Sequence, residues 1–279
     1  MLIKLGVGSR GTVVYKGSLR GRLVAVKRLD QEYVTVASTV AKHEVDLLKQ
    51  ADRHPNIIRY FYDEAGARFF DIALELCYGS LFDYIEKNHR TKHPEFSKIA
   101  ASFNEKRALH EITCGIEHLH SLDILHRNIS PKNILIASAA GESGRYRMVI
   151  SGFGHCQKLK AGETSFLPTA ASANGGYPEW RAREILRWNA DTTAAKDIQL
   201  MRQTKSVDMF ALGCVYYYCI TEGSHPFGVP HEREDNIKNG KMPELVSRSG
   251  WAPLDRDGPE AVDLIRPLLD HQPSKRFVC

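Results

Sequence analysis

The period of the hydrophobic pattern changes once along this chain, near Gly79. Between Leu5 and Leu76, apolar and polar residues alternate mainly with a period of two, interrupted by one helical stretch at about 39–49. Past Gly79, apolar residues recur every three or four positions, as they do on one face of a helix. Strands followed by helices favour an α+β fold, with a small antiparallel-sheet lobe that carries one helix and a larger, mainly helical lobe.

Turn residues divide the two regions into elements. Strands are predicted to lead into Gly6 and to cover 12–16, 23–27, 57–62 and 69–76. Helices are predicted around Leu81–Ile85, through Leu109, Ile112, Ile116 and Leu119, and over Val207–Thr221. Segments 137–147 and 160–176 are rich in turn residues and are predicted loops, and 189–206 is a polar insertion.

Composition excludes several classes of protein. The 279 residues, 43% hydrophobic and 25% charged, are ordinary for a soluble globular protein with a large core. The net charge of +5 is dispersed, which argues against direct nucleic-acid binding. The longest apolar run, 209–220, has twelve residues and is too short to cross a bilayer. Six cysteines without a Cys-x-x-Cys pair predict reduced thiols and a cytoplasmic location.

A glycine-rich segment lies near the amino terminus. Gly6, Gly8 and Gly11 have the spacing Gly-x-Gly-x-x-Gly, which also occurs in dinucleotide-binding folds. In those folds a helix follows the glycines, whereas here a strand is predicted to follow them. The glycines would then form the turn of a β-hairpin whose backbone can close over phosphates. Lys27 supplies a cation on the neighbouring predicted strand, and Glu44, seventeen residues later, lies on the predicted helix.

The segment His126-Arg127-Asn128-Ile129-Ser130-Pro131-Lys132-Asn133 is the most specific motif. Eighteen residues beyond Asn133, the chain reads Ser-Gly-Phe-Gly over 151–154. With the glycine loop, the strand lysine and the helix glutamate in this order, the chain resembles the protein kinase superfamily. The resemblance implies a bilobal fold, with an N-lobe over 1–78 and a C-lobe over 79–279.

The resemblance also implies a nucleotide site, which binds ATP or ADP. Its expected residues are Gly6, Gly8, Gly11, Val13, Ala25, Lys27, Glu44, Glu75, Cys77 and Asn133, with adenine at 75–77 and phosphates at Lys27. Asn133 is then the one remaining protein ligand for Mg²⁺, so the need for a metal stays open.

Three positions depart from the kinase pattern. Asn128 stands where kinases carry the aspartate that accepts or orients the substrate hydroxyl, and an amide is not a base at neutral pH. Ser130 stands where a lysine neutralises the transferring phosphoryl group, and Lys132 is two residues out of register. Gly152 replaces the metal-binding aspartate. Phosphotransfer is therefore predicted to be weak or absent.

Three further segments narrow the resemblance. The segments 54–61, 72–77 and 222–228, the last reading Glu-Gly-Ser-His-Pro-Phe-Gly, closely resemble the inositol-requiring-enzyme family of transmembrane kinase/endoribonucleases, the sensors of the unfolded-protein response. The polar insertion is similar to that of fungal members. This implies a serine/threonine kinase domain, either trimmed to a single domain or cut from a longer parent, and the ribonuclease, membrane and luminal parts of the family are absent from these residues. In a longer parent the domain is expected on the cytosolic face of the endoplasmic reticulum membrane.

The narrower resemblance adds two predictions. It implies a back-to-back homodimer in which Asp52 and Arg59 bridge the two copies, although an exposed pair of no consequence would look the same. It also implies phosphate acceptors in an activation segment, against the alternative of a solvated loop. The candidate acceptors are Thr164, Ser165, Thr169 and Ser172, with Arg127, Arg181 and Arg183 as phosphate partners, and Glu184 is expected to pair with Arg276.

Three functions remain open from the sequence. The first is a nucleotide-binding pseudokinase or severely impaired kinase, in which nucleotide shifts conformation and dimerisation in endoplasmic reticulum stress signalling. The second is an active serine/threonine kinase that transfers the γ-phosphoryl group of ATP. The third is a structural dimerisation module without nucleotide, which would not need Lys27, Glu44 and Asn133.

Overall fold

The structure is a computed structural model, and it describes residues 3–8, 11–30, 37–86, 94–139, 145–167, 176–187, 202–243 and 258–277. The predicted phosphate acceptors Thr169 and Ser172, most of the polar insertion 189–206 and the sixth cysteine, Cys279, lie outside these residues. The α+β prediction is confirmed, because a five-stranded sheet is followed by a mainly helical region.

The first sheet is antiparallel throughout, with the order β1-β2-β3-β5-β4. Its strands are β1 (Ile3–Val7), β2 (Val13–Leu19), β3 (Arg22–Asp30), β4 (Tyr60–Ala65) and β5 (Phe69–Glu75). The second and third strands are longer than predicted, because the turn between them contracts to Arg20 and Gly21, both with positive φ. Two such residues match the right-handed twist of a hairpin, so pairing continues to the turn.

One predicted strand begins in the wrong place. The prediction started it at Ile57, whereas β4 starts at Tyr60. Ile57 and Ile58 are buried at 1% and 2% exposure, and the Ile58 amide donates to the Ile150 carbonyl at 3.0 Å. The two isoleucines therefore attach the start of this segment to the second lobe, because their side chains pack in the large hydrophobic core of that lobe.

Helix α1 (Ala37–Ala51) lies against the sheet. Ala41, Val45 and the sheet residues Phe70 and Ile72 form a small buried cluster. The helix contains the predicted range and extends two residues beyond each end of it. Glu44, next to the buried Val45, is directed toward the junction of the two lobes, where it meets β3.

The second lobe is built around buried helices. Its helices are α2 (Leu81–Ile85), α3 (Pro94–Ala100), α4 (Glu105–Ser121), α5 (Arg183–Leu186), α6 (Ser206–Ile220), α7 (Arg233–Asn239) and α8 (Gly258–Leu268). Its short strands are β6 (Gly79–Ser80), β7 (Ile124–Leu125), β8 (Ile134–Ser138), β9 (Tyr146–Ile150) and β10 (Gln157–Lys158). Every residue from Ser206 to Cys219 is buried, which explains why α6 is apolar on all sides.

The loop predicted over 137–147 is shorter than expected. β8 continues to Ser138 and β9 begins at Tyr146, with Ser138 paired opposite Tyr146. Tyr146 is 1% exposed, and its hydroxyl accepts from the Asn104 amide at 2.7 Å and donates to the Ser102 carbonyl at 3.2 Å. These contacts with residues distant in sequence stabilise the ends of β8 and β9, although the local sequence there is typical of a turn.

Within the described residues, no helix is long and apolar enough to span a membrane. Five cysteines in the described ranges are free thiols: Cys77, Cys114, Cys156, Cys214 and Cys219.

Candidate functional site

A cavity of about 720 Å³ lies between the two lobes. The predicted site residues that line it are Gly6, Gly8, Ala25, Lys27, Glu44, Glu75, Cys77, Asn128, Asn133 and Gly152. The structure thus brings together residues that are separated by more than a hundred positions. Gly11, Val13 and Ser130 are not among the described residues of its wall.

Val14, rather than the predicted Val13, is among the described residues that line the cavity. Val14 lies directly opposite Lys27 on β3, and directly opposed residues share one face of a sheet. Val14 therefore lines the cavity beside Lys27, and Val13 lies on the other face. The spacing from Gly11 alone did not reveal this, because the face depends on the register between β2 and β3.

Lys27 and Glu44 form an ion pair inside the cavity. Lys27 Nζ lies 2.5 Å from Glu44 Oε1, and the two side chains are 17% and 7% exposed. β3 supplies the lysine and α1 supplies the glutamate, so the pair depends on how the helix docks on the sheet. It holds the ammonium group where the expected phosphates would lie.

The chain between the lobes carries Glu75 and Cys77. Glu75 Oε1 accepts from Arg147 Nη2 at 2.5 Å, and the other end of the Arg147 guanidinium donates to the Pro55 carbonyl. Burial raises the pKa of the Cys77 thiol, which therefore stays protonated. Arg147 had no role in the sequence prediction, since nothing in its local pattern indicates a contact with Glu75.

The loop that contains Asn128 is held by a buried aspartate. Asp208 at the start of α6 accepts hydrogen bonds from the backbone amides of His126 and Arg127 at 2.8 and 2.7 Å. It also contacts His120 Nε2 at 3.0 Å. Burial opposes ionisation of Asp208, but these hydrogen bonds keep its pKa below the ordinary value. The carboxylate fixes Arg127 at a φ of +63°.

His126 connects this loop to the segment before Gly152. Its Nε2 donates to the Ser151 carbonyl at 2.9 Å, and its Nδ1 accepts from the Asn128 amide at 3.3 Å. Burial lowers the pKa of His126, so the ring is neutral, as this donor and acceptor pattern requires.

Asn133 and Gly152 are in direct contact. The Asn133 side-chain amide donates from Nδ2 to the Asn128 carbonyl at 2.7 Å. Gly152 has a φ of +88°, and a Cβ placed there would lie only 2.7 Å from Cγ and Oδ1 of Asn133. The space that a side chain at position 152 would take is therefore filled by the asparagine.

Ser130 does not reach the cavity. It is fully buried, and its hydroxyl has no hydrogen-bond partner among the described residues. The loss of a lysine at position 130 therefore stays a prediction, and the serine that replaces it is buried in the lobe rather than placed on the described wall of the cavity. Lys132 does line the cavity, and its Nζ lies 4.9 Å from the ring centre of Phe82 and 4.6 Å from that of Tyr177.

Ser165, one of the predicted acceptors, contacts an arginine that was not predicted. Arg202 donates from Nε to the Ser165 hydroxyl at 2.7 Å and from Nη2 to its carbonyl at 3.0 Å. Thr164 and Ser165 both line a second cavity, of about 570 Å³, with Arg202.

Arg127, by contrast, is turned inward. Its Nε donates to Gln203 Oε1 at 2.6 Å, and burial lowers the pKa of Arg127 to about 10. Arg181 is partly buried, and Arg183 has a buried Nε without a partner in the described residues.

The expected Glu184–Arg276 pair is present, with Arg276 Nη1 2.6 Å from Glu184 Oε1 and both side chains almost fully buried. Arg59 is exposed and donates to the backbone carbonyl of Asp52 at 2.7 Å, rather than to its carboxylate.

The family model for the protein kinase domain matches residues 1–279. The chain belongs to the protein kinase family. Among curated proteins, this kinase domain is 41% identical to the "Serine/threonine-protein kinase/endoribonuclease ireA" of Aspergillus fumigatus, over 99% of the chain and 24% of that protein. It is 38% identical to the "Sensor for unfolded proteins in the ER ire1" of Schizosaccharomyces pombe, over 98% of the chain and 25% of that protein.

A human relative, "Serine/threonine-protein kinase/endoribonuclease IRE2", is 40% identical over 85% of the chain and 23% of its own length. The kinase domain therefore spans about a quarter of the length of these curated relatives. The resemblance to kinase/endoribonuclease stress sensors is confirmed by these similarities.

Protein kinases in general use ATP with Mg²⁺, which prefers carboxylate and phosphate oxygens. The residues that the structure describes in this cavity do not fit the ion. Gly152 offers no ligand, and Asn133 offers only an amide. The carboxylates on the described wall have other partners: Glu44 pairs with Lys27, Glu75 with Arg147, and Asp83 with the hydroxyl and amide of Ser80.

Proposed function

We propose that this kinase domain is a nucleotide-binding pseudokinase or severely impaired kinase, which binds ATP or ADP and uses its occupancy to control conformation and dimerisation. The observation that carries the proposal is the combination of an intact Lys27–Glu44 pair with an Asn133 amide packed into the space beside Gly152. The ion pair serves nucleotide binding, whereas glycine at position 152 supplies no carboxylate for the metal that phosphotransfer needs, and Asn133 fills the space where one would lie.

The bound nucleotide would lie between the lobes. Adenine would contact the chain at Glu75–Cys77, between Ala25 and the C-lobe, and the phosphates would approach Lys27 beneath Gly6 and Gly8. The cavity volume is within the range of small-molecule sites. Ordering of the glycine-rich hairpin over the phosphates would then bring the lobes together.

Catalysis would be weak for two reasons. Asn128 lies at the cavity but has no basic group, and general-base assistance is typically worth about 10²–10⁴ in rate. No lysine occupies position 130, and the buried Ser130 hydroxyl leaves charge on the transferring group without compensation from that position. These losses do not multiply simply, because residues acting as a unit are non-additive.

The names of the curated relatives support a role of this domain in signalling. Their names describe kinase/endoribonucleases and a sensor for unfolded proteins in the ER. We propose that this domain, with an N-lobe over 1–78 and a C-lobe over 79–279, forms a back-to-back homodimer through Asp52 and Arg59. In a longer parent it would lie on the cytosolic face of the endoplasmic reticulum membrane, with phosphate acceptors among Thr164, Ser165, Thr169 and Ser172.

Thermal unfolding with ATP or ADP, with and without Mg²⁺, tests nucleotide binding. A ligand that binds only the folded state adds about 2.7 kcal/mol of stability at 100 times its dissociation constant. We expect a clear upward shift in Tm that Lys27→Met abolishes. No shift with either nucleotide would contradict the proposal and favour a structural dimerisation module.

A single-turnover assay with labelled ATP then measures phosphotransfer. We expect no labelled protein above the level of a Lys27→Met control. Stoichiometric label on the activation segment within minutes would instead identify an active serine/threonine kinase, and the pseudokinase proposal would be wrong.

A further inference from the structure

We propose that Lys132 binds the terminal phosphate of a nucleoside triphosphate and takes the place of the missing metal, so that the site binds metal-free ATP more tightly than ADP. This inference rests on the proposed nucleotide binding and deepens it. It assigns a ligand-binding role to a lysine that lies two positions away from the one kinases use.

Lys132 shares a cavity wall with the residues that are expected to meet the phosphates. It lines the same space as Lys27, Asn128, Asn133 and Gly152. Its ring partner Tyr177 follows Gly176, whose backbone is packed so closely on the Asn128 side chain that a Cβ there would overlap the amide oxygen. Through Tyr177 and Gly176, Lys132 thus adjoins the part of the cavity wall that contains Asn128, where a terminal phosphate would lie beyond the phosphates held at Lys27.

The lysine is positioned by aromatic rings rather than by a carboxylate. The Phe82 backbone amide donates to the carbonyl of Pro131 at 3.1 Å. Because Lys132 follows Pro131 in the chain, this hydrogen bond holds the Phe82 ring beside Lys132. Tyr177 contacts the ammonium group from its own side at 4.6 Å. Cation–π contacts restrict an ammonium group without neutralising it, so its charge remains available to an anion.

The charges of the cavity wall support the same assignment. Lys27 is neutralised by Glu44, whereas no carboxylate in the described part of the chain lies within ion-pair distance of Lys132. The described wall offers no suitable set of ligands for a divalent cation, as shown above for Glu44, Glu75 and Asp83. A triphosphate would therefore gain more from the Lys132 ammonium group than from Mg²⁺ carried into the site.

The test is calorimetric titration of the purified domain with ATP and with ADP, each in EDTA and in excess Mg²⁺. The variant is Lys132→Gln, and Lys132→Arg keeps the charge. The control is Lys160→Gln, which removes another exposed cation that lies outside the described wall of this cavity. Both lysines are exposed, so all three variants are expected to fold.

We expect Lys132→Gln to weaken ATP binding in EDTA by about 10-fold, as for a lost hydrogen bond to a charged group, and to change ADP binding by less than about twofold. Lys132→Arg and Lys160→Gln should stay within about threefold of the parent for both nucleotides. Added Mg²⁺ should not tighten ATP binding.

Two results would overturn the inference while leaving the proposed function intact. One is equal loss of ATP and ADP affinity, or no loss, in Lys132→Gln. The other is ATP binding by the parent that Mg²⁺ tightens by 10-fold or more. If the parent binds neither nucleotide in any condition, the proposed function itself fails, so the two failures are distinguishable.

Discussion

At Gly152 the backbone adopts a φ of +88°, and the neighbouring Asn133 amide fills the space a side chain would need. Substitution of Gly152 by aspartate would therefore carry two separate costs in folding free energy. One is the left-handed backbone conformation, which costs L-residues other than glycine roughly 1–2 kcal/mol. The other is the displacement of an asparagine that also hydrogen-bonds the Asn128 carbonyl.

We predict that Gly152→Ala lowers the free energy of unfolding by about 2–3 kcal/mol, because both costs apply. In an Asn133→Ala background the same substitution should cost only about 1 kcal/mol, since the clash is gone. Urea unfolding of the four proteins in this double-mutant cycle measures the coupling. Equal costs in the two backgrounds would show that the Asn133 contact does not restrict position 152.

The structure brings some of the predicted site residues into the cavity and leaves others outside its described wall. Lys27 and Glu44 were both predicted as residues of the nucleotide site, and the structure brings them together as an ion pair. Val13 and Ser130 were predicted from spacing alone and do not line the cavity. A side chain's direction depends on strand register and loop rotation, which spacing along the chain does not specify.

Among the elements, the buried ion pair between α5 and the carboxyl-terminal segment is the clearest long-range link. Glu184 and Arg276 are ninety-two positions apart, and Arg276 also donates to the Ser206 carbonyl at the start of α6. The arginine thus connects the end of the activation segment to the central buried helix. Removing one partner would leave a buried charge without compensation.

We predict that Arg276→Met destabilises the domain by roughly 3–5 kcal/mol, because Glu184 is then buried and unpaired. The double variant Glu184→Leu/Arg276→Met should be more stable than Arg276→Met, since neither charge remains. Chemical denaturation of the three proteins checks this order. A double variant that is as unstable as the single one would indicate that packing, rather than the unpaired charge, dominates.

The observed ends of β4 and β9 differ from the predicted ends because each strand makes contacts with residues distant in sequence. β9 begins at Tyr146 because its hydroxyl bonds to residues 102 and 104, and β4 begins late because Ile57 and Ile58 pack on the other lobe. Helices with a clear apolar face or an apolar run were predicted to within a few residues, since their periodicity is a local property.

For the whole molecule, the buried histidines make stability depend on pH. Burial lowers the pKa of His126 and, further still, that of His225. An unfolded histidine titrates near pH 6.5, so below that pH the unfolded chain binds more protons than the native one. Stability from these groups is therefore present above about pH 6.5 and is lost as the pH falls.

We predict that the free energy of unfolding falls between pH 7.5 and 5.5 by up to about 1.4 kcal/mol for each such histidine. His225→Asn should reduce the pH dependence, because the amide oxygen can accept the Phe227 amide in place of Nδ1 and does not titrate. His231→Gln, at an exposed position, should leave it unchanged. Urea titrations at several pH values measure the slope, and a flat profile in the parent would contradict the prediction.

The proposed dimer is testable at the same scale. We predict that Arg59→Glu weakens self-association, measured by sedimentation velocity with saturating ATP, by about 10-fold, because it places like charges opposite each other. The swap Asp52→Arg/Arg59→Asp should recover part of the loss. Arg53→Glu is the matched control, since Arg53 is an exposed neighbour with the same charge. If the control weakens association equally, the effect belongs to net charge and not to the pair.

The sequence by itself determined the order of the first five strands and of four helices, the α+β class, the protein kinase family and the absence of the acidic groups at positions 128 and 152. These are properties of residue type and short-range periodicity, which do not require the chain to be folded. Only the tertiary structure decided that Val14 rather than Val13 lines the cavity, that Ser130 is buried, that Asn133 fills the space beside Gly152, and that Lys132 lies between two rings. Each of these depends on which distant segments pack together, because the burial and orientation of a side chain are set by neighbours far away in the chain.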